Sequence, residues 1–130
     1  MSSQSNLATG TDRDTPLEAL KAVVERFCTE RDWDQFHDAK ELSIGAATEA
    51  GELLALFRFQ TGPDIENLLG DASSRRRVEE EMADVLFFIL RLAQRYDIDL
   101  TSAFTRKLAL NAVRYPVEKS RGKNRKYDEL

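Results

Sequence analysis

Apolar residues recur along most of this chain every three or four positions, the spacing of one face of an α-helix. Leu17, Leu20, Val24 and Phe27 mark the first such face. Thr15 precedes it, with Pro16 at the first helical position and Glu18 completing a Thr-x-x-Glu capping box. A second helix is predicted from near Asp38, with Glu41 three residues on, to about Phe59. Its stripe is Leu42, Ala46, Leu53, Leu56 and Phe57. Turn formers come next at Thr61-Gly62-Pro63-Asp64 and again at Gly70 to Ser74, leaving room over 65–69 for a short helical turn. The third helix runs from about Ser74 to Tyr96. After a tight connection at Asp97 to Asp99, the fourth reaches Tyr115 and stops before Pro116. Alternation of period two is absent, so no sheet is expected. The pattern predicts an all-α, four-helix bundle. Residues 1–14 read as a disordered leader, 15–116 as the helical domain, and 117–130 as a basic tail that is mobile when nothing is bound.

The third helix bears on assembly. Val78, Met82, Val85, Ile89, Leu92, Ala93 and Tyr96 make its core stripe, and Leu86, Phe87, Phe88 and Leu90 carry apolar character almost around the circumference. A helix apolar on every side must be covered on every side. A chain of 130 residues has few helices to spare for that, so a homo-oligomer is expected over a monomer with a well-covered central helix.

Composition removes several classes of function. The net charge of -4 gives no bulk attraction to nucleic acid or anionic lipid. A single cysteine, Cys28, excludes a disulfide framework, and a single histidine, His37, excludes a multi-histidine metal site. The longest apolar run, Val85 to Leu90, is far short of the ~20 residues that span a bilayer. No secretory signal is evident, and a reducing cytoplasm fits best.

The chemistry begins with carboxylates on the wrong side of helices. On a wheel, Glu49 falls in the middle of the second helix's buried stripe and Glu52 at its margin. Glu81 falls within the third helix's stripe and Asp84 at its edge, whereas Glu79 and Glu80 point away. Two helices thus each bring an i,i+3 pair of acids inward. Burying one unpaired carboxylate costs several kcal/mol. Four together call for a cation, and carboxylate oxygens without Cys or His suit Mg²⁺, Mn²⁺ or Ca²⁺. A di-iron bundle site needs Glu-x-x-His pairs, which are absent.

On the fourth helix Lys107, Asn111 and Arg114 share the side marked by Leu100, Phe104 and Leu108. Inward cations facing inward acids also describe ordinary buried ion pairs. The stoichiometry, four acids against two cations, is better balanced by a metal–phosphate ligand. Trp33, Phe36 and His37, with Gln35 among them, lie in the first connection. They read either as bundle-end packing or as a base pocket with an aromatic face and polar edges, to which Phe59 adds a wall. The tail bases Lys119, Arg121, Lys123, Arg125 and Lys126 read as a solvated charge run or as a strand that folds over a polyphosphate.

Glu49-Ala-Gly-Glu52, 28 residues, then Glu81-Met-Ala-Asp84 resembles the Glu-x-x-Glu … Glu-x-x-Asp signature of the MazG-like all-α nucleoside triphosphate pyrophosphohydrolases. Further blocks resemble the dCTP pyrophosphatase branch: Arg31-Asp32-Trp33-Asp34-Gln35-Phe36-His37, Asp84-Val85-Leu86, Lys107…Asn111…Arg114-Tyr115-Pro116 and Arg125-Lys126-Tyr127. The resemblance spans about Leu17 to Leu130. It implies Mg²⁺-dependent cleavage (Mn²⁺ as a substitute) between the α- and β-phosphates, giving a nucleoside monophosphate and pyrophosphate. It implies Mg²⁺ on Glu49, Glu52, Glu81 and Asp84, the catalytic set, and phosphates on Lys107, Asn111 and Arg114, with Arg125 and Lys126 in the tail block. It implies a base pocket at Trp33, His37, Phe59 and Phe88, and dimers or tetramers with sites near subunit interfaces.

This chain departs from the branch at four positions: Val24 stands for a histidine, Phe59 for a tryptophan, Phe88 for a tyrosine and Glu41 for an asparagine. Metal and phosphate chemistry is therefore expected to carry over better than base preference, for which dCTP or a modified pyrimidine leads. The expected partners are a nucleoside triphosphate and further copies of the chain, with no nucleic acid and no membrane. The competing expectations are a nucleotide-binding module without catalysis and a purely structural helical oligomer.

Overall fold

The computed structural model describes residues 10–130, so most of the expected leader lies outside the described residues. The described chain is helical without strands and divides after Asp97 into two compact units.

The first unit holds α1 (Leu17–Glu30), α2 (Ala39–Phe57), α3 (Gly62–Gly70) and α4 (Ala72–Arg95), with a 3-10 turn at Asp34–Phe36. Caps explain most starts. Asp38 accepts from the Glu41 amide at 2.8 Å to open α2, and Asp71 accepts from the Ser74 amide at 2.9 Å to open α4. The expected Thr15 capping box does not form. Pro16 is itself extended (φ -63°, ψ 151°) and α1 begins at Leu17, so Thr15 stands one residue too early to cap it. Its hydroxyl meets Asp14 instead, at 3.3 Å.

The region expected as a loop with one helical turn is the nine-residue helix α3. Thr61 and Asp64 form a reciprocal capping box at 3.3 and 2.9 Å, and Pro63 fits the first turn because its missing N–H would have no partner there. The turn formers announced a helix start rather than a loop.

α1, α2 and α3 all pack against α4, which is the spine of this unit. Val24, Cys28, Leu42, Val78, Leu90 and Ala93 are its most buried apolar residues. The α4 core is therefore rotated from the expected stripe: Leu90 is buried while Met82, Ile89 and Tyr96 are exposed. A wheel weights each apolar residue equally, whereas the packed helices select the side of α4 they touch. Tyr96 still has a task, its hydroxyl accepting the Ala39 amide at 2.7 Å.

The second unit, Ile98–Leu130, holds α5 (Leu100–Arg114), capped by Asp99 on the Ser102 amide at 2.8 Å, and α6 (Val117–Ser120) after Pro116. Residues 117–130, the basic tail, lie back against α5. Gly122, at φ 75°, turns the chain, and Tyr127 stands edge-on to Tyr115 with ring centroids 6.0 Å apart. The Arg114 guanidinium lies 5.0 Å from the Tyr127 ring centre. No described helix is long and apolar enough to cross a membrane.

Candidate active site

α2 and α4 lie alongside one another and bring acids of their facing sides together. Carboxylate oxygens of Glu49, Glu81 and Asp84 all lie within 4.8 Å of one another. Glu49 and Glu81 are half-buried and Asp84 is exposed. Glu79 and Glu80 face solvent, Glu79 pairing with Arg75 at 3.6 Å. Glu52 is exposed and stands outside the group of three, although its charge is felt at Glu81.

The electrostatics are unbalanced. The first unit's ion-paired arginines, Arg31, Arg75 and Arg91, go to Glu30, Glu79 and Asp34 rather than to the three acids. Burial, and then the charges of Glu49 and Asp84, push the Glu81 carboxyl above its ordinary range. Its Oε2 is buried with no hydrogen-bond partner. A buried acceptor without a donor is rare in a folded protein and calls for a ligand or ion. Three converging carboxylates, with one Glu81 oxygen left without a donor, fit a divalent cation, which would supply the missing positive charge.

An aromatic run approaches this cluster. Trp33 faces His37 edge-on at 6.0 Å and Phe27 at 5.7 Å; Phe27 meets Phe87 at 5.9 Å, and Phe87 meets Phe88 at 5.3 Å. Trp33, His37 and Phe88 thus belong to one continuous edge-to-face series. Phe27 and Phe87 link them, roles that a wheel reading of single helices could not supply. Phe88 lies against Gly45 so closely that a Cβ there would collide with its ring. Gly45 is four residues before Glu49, and Phe88 four after Asp84, so the series ends one helical turn from the acids on both helices.

Phe59 is not part of this series. It is 87% exposed, its backbone sits in the left-handed region at φ 65°, and the Arg58 guanidinium stacks 4.6 Å from its ring centre. A bulky residue held there costs about 1–2 kcal/mol. Phe36 is also exposed.

Sequence reasoning missed Arg91. It is fully buried on α4 and bound to Asp34, His37 and Gln94. The signal was a charge among Leu90, Leu92 and Ala93, seven residues after Asp84 and therefore on the same side of the helix.

In the second unit Lys107 and Arg114 are exposed and Asn111 half-exposed on α5. Arg125 and Lys126 are exposed just before the 3-10 turn at Tyr127–Glu129.

Comparison with known proteins gives concordant results. The model of the MazG-like family matches residues 44–130. Human dCTP pyrophosphatase 1 is 36% identical over 114 residues, covering 88% of this chain and 67% of that protein. The bovine protein of the same name is 35% identical over 114 residues, covering 88% and 68%. A crystal structure of a pyrophosphatase from Archaeoglobus fulgidus superposes with a TM-score of 0.72 at 28% identity, covering 85% of this chain and 98% of that one.

Proposed function

Because the chain belongs to the MazG-like family and is a nucleoside triphosphate pyrophosphatase, we propose that it hydrolyses dCTP or a modified pyrimidine deoxynucleotide. Water is added across the anhydride bond between the α- and β-phosphates, giving the nucleoside monophosphate and pyrophosphate. The observation that carries this reading is the trio Glu49, Glu81 and Asp84, with its orphaned Glu81 oxygen.

Glu49, Glu81 and Asp84 would hold a divalent ion, Mg²⁺ on the sequence resemblance, which also assigns Glu52 as the fourth carboxylate. When bound there, the ion would supply positive charge against the charge developing on the phosphate oxygens, the main demand of phosphoryl chemistry. Glu49, half-buried on α2, is assigned to orient the attacking water and take its proton. Lys107, Asn111, Arg114, Arg125 and Lys126 are assigned to the phosphates on the sequence resemblance. Trp33, His37 and Phe88 form the base pocket. Phe59 is assigned to the base on the sequence resemblance alone, since its ring stands apart from that series.

The chain works as a dimer or tetramer in the cytoplasm, where it clears unwanted nucleotides from the pool. The exposed Met82, Leu86 and Ile89 on α4 supply an apolar face for a second copy.

A panel of triphosphates incubated with Mg²⁺ tests the reading. Monophosphate and pyrophosphate should appear in equal amounts, fastest with a deoxycytidine substrate. Release of orthophosphate, or a preference for purines, refutes it. Intact triphosphate throughout, despite binding, would favour a nucleotide sensor instead. Sedimentation velocity gives the subunit number, and a monomer at micromolar concentration refutes the assembly.

A further inference from the structure

A buried cation needs partners, and those of Arg91 all serve one short connection. Its Nη1 donates to Gln94 Oε1 at 2.6 Å, its Nη2 donates to Asp34 Oδ1, and its Nε donates to His37 Nδ1 at 3.0 Å. One turn along α4, Arg95 donates to the backbone carbonyls of His37 and Asp34, both at 3.3 Å. Two arginines therefore hold residues 34–37, next to Trp33, from the α4 side.

The chemistry of these groups fixes more than position. A guanidinium nitrogen can only donate a hydrogen bond. His37 Nδ1 must then present its lone pair, and the single proton of the neutral imidazole resides on Nε2. No described residue accepts a hydrogen bond from Nε2. Burial, and then the Arg91 and Arg95 charges, disfavour a second proton on the ring; Asp34 opposes them from the connection itself.

We propose that Arg91 is a positioning residue for base selection: it holds His37, edge-on to Trp33, as a fixed Nε2–H donor, so the pocket takes a nucleobase offering a carbonyl oxygen there and disfavours one offering an amino group. The 2-carbonyl shared by the natural pyrimidines is such an acceptor, and adenine has no carbonyl at all. The proposal rests on the reading of Trp33 and His37 as base-binding residues.

The chain has one histidine, so long-range 1H–15N spectra of its imidazole report His37 alone. At neutral pH the wild-type protein should show the neutral ring with the proton on Nε2. In Arg91→Met the two tautomers should mix, and KM for dCTP should rise about fivefold to tenfold, the effect of one misplaced hydrogen bond, with kcat nearly unchanged. Arg91→Lys, which restores one donor, should recover part of the tautomer bias. A wild-type ring protonated on Nδ1, or a folded Arg91→Met with unchanged KM, overturns the proposal.

Should Arg91→Met not fold, wild-type spectra decide. The Nε2–H resonance should shift on saturation with dCMP but not with an analogue whose ring lacks the 2-carbonyl, and equal responses to both overturn the proposal. Failure of the underlying pocket reading looks different: Trp33→Ala would then leave KM unaltered while the His37 tautomer stayed as stated.

Discussion

Two clusters of charge occupy one side of α4, about 10 Å apart along its axis by the helical rise from Asp84 to Arg91. At one, Glu49, Glu81 and Asp84 converge, apart from the arginines that pair elsewhere in their unit, and a buried Glu81 oxygen is left without a donor. At the other, the Arg91 guanidinium is surrounded by Asp34, His37 and Gln94 and leaves nothing wanting. Arg91 is fully buried and Glu49 and Glu81 are half-buried, yet the two clusters have opposite meanings. A balanced cluster is complete within the chain and holds a connection in shape. An unbalanced one, short of hydrogen-bond donors within its own unit, is a candidate ligand site.

Variants can break this contrast. The largest effect is expected from Glu81→Gln, which should lower kcat/KM for the triphosphate roughly a thousandfold, about 4 kcal/mol of barrier. The same change should raise the thermal stability of metal-free protein, because it removes a repelled, half-buried charge. Glu79→Gln, on the solvent side of the same turn, should do neither. If Glu81→Gln destabilised the metal-free protein, the acids would be a structural network after all.

Arg91→Met should act with the opposite sign, lowering stability in urea unfolding by about 3 kcal/mol, toward the lower end for a broken buried pair because Asp34 can still reach water. Divalent cation should stabilise the wild-type protein by about 2.7 kcal/mol at a hundredfold excess over Kd, and Glu81→Gln hardly at all. A melting series with and without Mg²⁺ measures both. Gly45→Ala should cost about 1–2 kcal/mol, since the Phe88 ring must shift although alanine itself favours a helix. Equal stability of that variant would show that the ring is loosely seated.

The smallest effect is on pH dependence. Burial and the two arginines hold the His37 proton affinity below its ordinary value of about 6.5. The unfolded chain therefore takes up the proton first, and stability should fall as pH drops below about 6.5 toward the folded value. The Arg91 hydrogen bond holds the Asp34 carboxyl below its ordinary value of about 3.9, so that contribution is present above about 3.9 and is lost as pH falls through the folded value. Melting temperature against pH should show both steps, each smaller in Arg91→Met.

Much of the site's chemistry was legible because helical spacing alone sets which side chains share a face. Glu81 and Asp84 could be separated from Glu79 and Glu80 by angle, and Asp38 marked a helix start through a contact only three residues long, whereas Asp71 and Asp99, read as turn residues, prove to be caps of the same kind. Thr61 failed as a loop marker because the same residue types begin turns and helices, and the stretch downstream, here Ile65 to Leu69, decides between them. Glu52 shows the limit of angular reasoning: a marginal position on a wheel can fall on either side of a seam. Arg91 escaped notice because its partners Asp34 and His37 lie more than fifty residues away in the chain.

By itself, then, the order of residues determined the helices, the acids on the facing sides of α2 and α4, and the kinship with a family of triphosphate hydrolases. These rest on short-range geometry and on motif spacing, which the chain carries wherever it goes. Packing decided the rest. It rotated the α4 core toward Leu90, ran an edge-to-face series through Phe27 and Phe87, left Phe59 strained in solvent, and closed a ring of acceptors around Arg91. Those outcomes depend on which surfaces of distant segments meet, and no local pattern encodes a meeting across fifty residues.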